Sequence, residues 1–148
     1  MGKEQDFANK SKGGKKSAED QRKNEEEDKL NSMPSEERIK ENHKMESEVL
    51  KLKGKSEVLK KNYDLAFTYY LQASELNPSD SSLNLNLAAV YFEKKDFDNC
   101  IKQCEIVLEN TLDFVKKSRA FGRMAFQYSE QGNLEKSIEY FNKSLLEN

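Results

Sequence analysis

From Met45 onward, apolar side chains recur at three- and four-residue spacing, with almost no glycine or proline inside the segments. That period belongs to helices that bury one stripe of their surface. Breaks fall at Lys61-Asn62, Asn77-Pro78, Lys95-Asp96, around Thr111 and at Gly132-Asn133. They predict six helices, over about 45–60, 63–76, 81–94, 97–110, 113–130 and 134–147. Asn62, Asp96 and Asn133 stand where N-caps belong. No strand-like alternation occurs. The residues before Met45 differ. The first 44 hold 11 basic and 11 acidic side chains, and beyond Met1 their large apolar residues are only Phe7, Leu30, Met33 and Ile39. Such a stretch buries too little surface to offset chain entropy of about 1–2 kcal/mol per residue. A charged, largely disordered tail is expected over 1–44, with room for a short polar helix after Pro34, and a folded domain over 45–148.

The helices repeat as pairs. Gly54, Tyr63, Ala66 and Tyr70 recur 34 residues later as Ala88, Phe97, Cys100 and Cys104. A further 37 residues on stand Ala125, Leu134, Ser137 and Phe141, and Tyr91 likewise becomes Tyr128. Small residues fall where the two helices of a pair approach, and larger ones where pairs stack. In the first repeat Gly54, Tyr63, Ala66, Tyr70, Ala73 and Pro78 match the tetratricopeptide (TPR) pattern, whose unit is a helix-turn-helix of about 34 residues. The resemblance implies an all-α TPR solenoid, an α-α superhelix of three repeats over about 47–80, 81–114 and 118–148. Stacked pairs curve, and in that family the first helix of each pair lines the concave groove where an extended peptide lies.

Composition removes several alternatives. Charged residues make up 35% of the 148, yet the net charge is only −2, so the lysine runs are neutralised and no nucleic-acid partner is expected. No apolar run is long enough for a membrane span. No Gly-rich phosphate loop is present, and His43 is the lone histidine, too few for a Ser-His-Asp arrangement. Cys100 and Cys104 lie four apart at second-helix packing positions, which suits small core residues better than half of a metal site. Neither an enzyme nor a cofactor is expected, and a reducing, cytoplasmic location fits unpaired cysteines.

The first helices carry the candidate chemistry. Lys51 and Lys55 are i and i+4, beside Gly54; Asn86 takes the corresponding face of the second repeat; Arg119 and Arg123 are again i and i+4 in the third. Four cations and an amide on one groove suit a ligand carboxylate, at about 1.5–3 kcal/mol per charge-assisted hydrogen bond.

The runs Ala88-Ala89-Val90-Tyr91-Phe92-Glu93-Lys94-Lys95-Asp96-Phe97 and Ile138-Glu139-Tyr140-Phe141-Asn142-Lys143-Ser144-Leu145 resemble the middle TPR domain of the Hsp-organising protein (Hop) co-chaperones, over about 46–148. That resemblance implies a carboxylate clamp for the C-terminal Met-Glu-Glu-Val-Asp of heat-shock protein 90. The clamp falls on Lys51, Lys55, Asn86, Arg119 and Arg123, while Val58, Ala89, Phe92 and Glu93 shape the pockets for upstream residues. Lys55 replaces a family Asn, Arg119 a Lys and Val58 a Tyr. Heat-shock protein 70 is the other partner the resemblance implies. A targeting module of a truncated prolyl isomerase or phosphatase, and a scaffold for other peptides, are the competing readings. No amphipathic segment follows the last helix, which suggests a fragment of a longer protein or self-association through that face.

Overall fold

The computed structural model describes residues 17–146. Among them are seven helices and no strand: α1 (Ala18–Asn31), α2 (Ser35–Leu59), α3 (Tyr63–Leu76), α4 (Ser81–Glu93), α5 (Phe97–Asn110), α6 (Phe114–Glu130) and α7 (Leu134–Leu146). The chain divides into two units, residues 1–39 and 40–148. In the first, α1 forms although it buries no residue. Its support is local. Ser17 caps it, accepting from the Asp20 amide at 3.1 Å, while the Ser17 hydroxyl donates to the Asp20 carboxylate at 2.8 Å. Lys23 pairs with Glu19 one turn back. Helix covers 18–31 of the tail expected over 1–44, and α2 opens at Ser35, just after Pro34 where a short polar helix was expected, ten residues ahead of the start predicted at 45. The rest of that expected tail, residues 1–16, lies outside the described residues.

The second unit contains the repeats. Gly54 of α2 lies against the ring of Tyr70 on α3, and the buried Ser47 hydroxyl donates to the Ala73 carbonyl at 2.9 Å, joining the first pair. α3 packs on α4, α4 on α5, α5 on α6 and α6 on α7; α4 also meets α6 directly. The first helices α4 and α6 are therefore neighbours along the stack, as a solenoid requires. Two core clusters result. One joins Ala66, Tyr70, Ala73, Leu83, Leu87 and Val90; the other joins Ala88, Cys100, Ile101, Cys104, Val107, Ala120 and Met124. Leu83, Val90 and Val107 are fully buried, each contributing about 1.5–3 kcal/mol. The small repeat positions Gly54, Ala88 and Ala125 are all buried, as are Ala66, Cys100 and Ser137. The repeat register thus marks the close approaches.

The three hairpins turn alike. Lys61, Lys95 and Gly132 take φ of 62°, 60° and 74°. The next amide in each case, of Asn62, Asp96 or Asn133, donates five residues back to the carbonyl of Glu57, Tyr91 or Tyr128, always at 2.9 Å. This left-handed closure satisfies carbonyls that the helix end leaves open. Asp96 and Asn133 cap the helices that follow, accepting from the amides of Asn99 and Lys136. Asn62 does not act as the side-chain cap expected of it, because its amide donates to Glu57 at 2.9 Å instead. Leu134, Ile138 and Leu145 leave an apolar row exposed on α7.

Candidate functional site

The first helices of the three pairs, α2, α4 and α6, meet around a cleft of about 520 Å³. Lys55 comes from α2; Ser82, Leu85, Asn86 and Ala89 from α4; Ser118, Arg119, Gly122, Arg123 and Phe126 from α6; and Ser144 closes it from α7. Helical spacing explains the convergence. Asn86 and Ala89 are i and i+3, and Arg119, Gly122, Arg123 and Phe126 follow one face of α6. The wall is fixed by a reciprocal bond: the Ser144 hydroxyl donates to the Ser118 carbonyl at 2.9 Å, and the Ser118 hydroxyl to the Ser144 carbonyl at 3.1 Å. Phe126 is held by the edge of Phe141, centroids 5.2 Å apart.

The electrostatics are one-sided. Among the described residues, no carboxylate lies within ion-pairing distance of Lys55, Arg119 or Arg123, in a chain whose net charge is −2. The Arg123 guanidinium stands over the Phe92 ring at 5.4 Å, which steadies the side chain and leaves its N–H edge for other partners. Asn86 Nδ2 is buried with no hydrogen-bond partner among the described residues. An unpaired buried donor costs about 1–3 kcal/mol, so it marks a place where a ligand acceptor would be stabilising.

Of the nine residues singled out in the sequence, five line this cleft: Lys55, Asn86, Ala89, Arg119 and Arg123. Lys51 does not itself line the cleft but reaches the Ser82 hydroxyl that does. Its ammonium is 2.9 Å from Asp80 Oδ2, 2.7 Å from Glu48 Oε1 and 3.1 Å from the Ser82 hydroxyl, and only 11% of its side chain is exposed. Val58 packs against the core of the first pair. Phe92 and Glu93 line a second, smaller pocket with Lys95, Gln127, Glu130 and Gln131. Sequence reasoning passed over Leu85, Ser82, Ser118, Gly122, Phe126 and Ser144. Phe126 had a signal, since it stands seven residues beyond Arg119 on the same face. Ser144 had none, because it reaches the cleft from a second helix.

A tetratricopeptide-repeat family model matches residues 48–80 and 118–148. The N-terminal domain of stress-induced protein-1 (STI-1) from C. elegans superposes with a TM-score of 0.62 at 29% identity, covering 71% of this chain and 86% of that one. The chain contains tetratricopeptide repeats. The heat shock protein sti1 homolog of Schizosaccharomyces pombe is 37% identical over 98 residues, 64% of this chain. The Hsp70-Hsp90 organising protein of Plasmodium falciparum is 32% identical over 101 residues, 66% of this chain. The chain spans only 16% and 18% of those two relatives' lengths. The first TPR of Spaghetti (RPAP3), solved bound to the HSP90 peptide SRMEEVD, shares the fold with a TM-score of 0.63 at 22% identity, over 71% of this chain and 81% of that one.

Within the tetratricopeptide repeats, Cys100 and Cys104 are buried neighbours. The hydrogen bond to Cys100 and burial together push the Cys104 thiol far up. They pack the second and third pairs together, and no cluster of three metal-ligating side chains occurs among the described residues. No described helix is long and apolar enough to cross a membrane.

Proposed function

We propose that the cleft between α2, α4 and α6 is a carboxylate clamp for the acidic C-terminus of a chaperone, and that the chain serves as a non-catalytic co-chaperone adaptor in the cytoplasm. The observation that carries this reading is the convergence of Lys55, Arg119 and Arg123, unpaired among the described residues, on the buried amide of Asn86, likewise without a partner there. A main-chain carboxylate and a neighbouring acidic side chain offer the acceptors this set lacks. Arg119 and Arg123 suit them by their forked donors. The Met-Glu-Glu-Val-Asp terminus of heat-shock protein 90 has this chemistry. The relatives named as Hsp70-Hsp90 organising proteins, and the peptide held by the structural neighbour, support that choice. A heat-shock protein 70 terminus is the second partner those names support. Lys55 takes the place nearest the ligand on α2, while Lys51 serves the wall behind it.

Calorimetry with Met-Glu-Glu-Val-Asp as the free acid and as the C-terminal amide tests the proposal. The amide is expected to bind at least about tenfold more weakly, since one charge-assisted hydrogen bond is worth about 1.5–3 kcal/mol. Free-acid affinity should fall as salt rises, because exposed charges are screened within about 8–10 Å. Equal affinity for acid and amide overturns it.

A further inference from the structure

Gly54 in α2 and Gly122 in α6 both stand inside helices that border the cleft. Glycine is among the poorest residues for a helix interior, so each position calls for a physical reason. Gly54 has one in packing: a Cβ there would lie 2.5 Å from Tyr70 Cε1. Gly122 has none of that kind. Beyond its chain neighbours and its own helix backbone, a Cβ built on it would meet one atom within 4 Å, Ser144 Oγ at 3.6 Å. That is an ordinary van der Waals contact. The fold has room for a side chain at 122, and α6 would be a firmer helix with one.

The space left open belongs to the cleft. Gly122 lines it with Arg119 one turn back, Arg123 next in the chain and Phe126 one turn on. Ala89 of α4 and Ser144 of α7, also in the lining, are small as well. The main chain of α6 is therefore bare between the two residues that carry the guanidinium groups.

Two kinds of acid meet such a surface differently. The carboxylate of an Asp or Glu side chain stands on a flexible stem and reaches a guanidinium while its own main chain stays off the helix. The α-carboxylate of a chain end has no stem. It is bonded to Cα, so setting it between Arg119 and Arg123 brings the terminal residue's main chain down onto α6. A position without Cβ is where a backbone can come that close.

We propose that Gly122 is a specificity-determining residue, which lets the cleft take a peptide's terminal α-carboxylate in preference to an internal Asp or Glu side chain. The missing Cβ admits the main chain of the last residue, and the forked donors of Arg119 and Arg123 then hold its carboxylate. A Cβ at 122 lifts the chain end away and leaves the forks to side-chain carboxylates alone. This role rests on the carboxylate reading of the cleft.

The test titrates acetyl-Met-Glu-Glu-Val-Asp, as the free acid and as the C-terminal amide, into the full chain and into Gly122→Ala by calorimetry. The unaltered protein is expected to favour the free acid at least about tenfold. Gly122→Ala should weaken the free acid by about tenfold, the lower end of a lost charge-assisted hydrogen bond. The amide, held by side-chain carboxylates, should change by less than about twofold, the scale of a screened, exposed charge. The Tm of Gly122→Ala should rise by about 2–6 °C, because alanine is the better helix former. A glycine needed only for packing would lower the Tm instead. A lower Tm, an unchanged free-acid affinity, or equal losses for acid and amide each remove Gly122's role and leave the clamp standing. Equal binding of acid and amide by the unaltered protein overturns the clamp, and this role falls with it.

Discussion

Lys51 of α2 and Asp80, the N-cap of α4, are 29 residues apart in sequence yet meet at 2.9 Å, and both side chains are nearly enclosed. Asp80 has two duties at once: its other oxygen accepts from the Ser82 amide at 3.0 Å and so starts α4. The ion pair ties the first repeat to the second just below the cleft.

Separating the two roles of these residues is straightforward. Lys51→Met removes one partner of a largely buried pair and should cost about 1–3 kcal/mol of stability by urea denaturation. Its effect on affinity for an acidic peptide should stay below about threefold, the ordinary scale of a screened, indirect charge. Arg123→Ala should behave in the opposite way. It faces the cleft and takes part in no ion pair among the described residues, so affinity should fall at least about tenfold while stability changes by less than about 1 kcal/mol.

Acid titration should expose the same pair. Burial alone would raise the Asp80 carboxyl, but hydrogen bonds from Ser82 and Lys51 outweigh it and hold the group below its ordinary value. A depressed carboxyl stabilises the fold above its unfolded pKa of about 3.9 and loses that contribution as pH falls through the folded value. Lys51 shifts the other way: burial lowers it, yet hydrogen bonds to Glu48 and Asp80 prevail and raise it. Its contribution is complete below about 10.4 and is lost as pH rises through the folded value. The stability difference between the protein and Asp80→Asn, which keeps a capping oxygen, should be level from about pH 5 to 9 and close at both extremes.

Gly54→Ala should destabilise the first pair, although alanine favours a helix by about 1 kcal/mol. Its Cβ would lie 2.5 Å from Tyr70 Cε1 and 2.7 Å from Cδ1. The Tyr70 ring is 2% exposed and has no room to swing away. Overpacking of this kind costs about 1–3 kcal/mol or more, so a net loss of about 1–2 kcal/mol should appear as a lower Tm.

Lys61→Gly should have the reverse sign. Lys61 sits at φ 62° with an exposed side chain in no ion pair among the described residues, while the third hairpin fills the same place with Gly132. Relief of the left-handed penalty, about 1–2 kcal/mol, exceeds the extra freedom glycine gains when unfolded. A rise of about 0.5–1 kcal/mol in unfolding free energy is expected by chemical denaturation.

The repeat register was readable because small residues have one physical reason to recur at a fixed period, the close approach of two helices. Gly54, Ala88 and Ala125 carried it, and all three are buried. The convergence of Asn86, Arg119 and Arg123 followed from helical spacing once the pairs were in register. The fate of Lys51 was hidden, since nothing near residue 51 says that the turn before α4 delivers a carboxylate to it. The α1 helix failed for a different reason. Its signal was local, a Ser17–Asp20 capping pair and i,i+4 charges, which a composition argument resting on burial alone does not register. The helix that opens at Ser35 stands where the residues after Pro34 suggested one, but it runs unbroken into the first repeat, because helix can continue outward from a packed segment without burying more surface.

Asn86 Nδ2 and Gln127 Oε1 are buried without a hydrogen-bond partner among the described residues, a cost to the fold that a bound acceptor or donor would offset. Whatever satisfies them tightens the fold, by RT ln(1 + [L]/Kd) for a ligand that binds only the folded chain. Resistance to limited proteolysis should therefore rise with the concentration of any acidic peptide that the cleft binds.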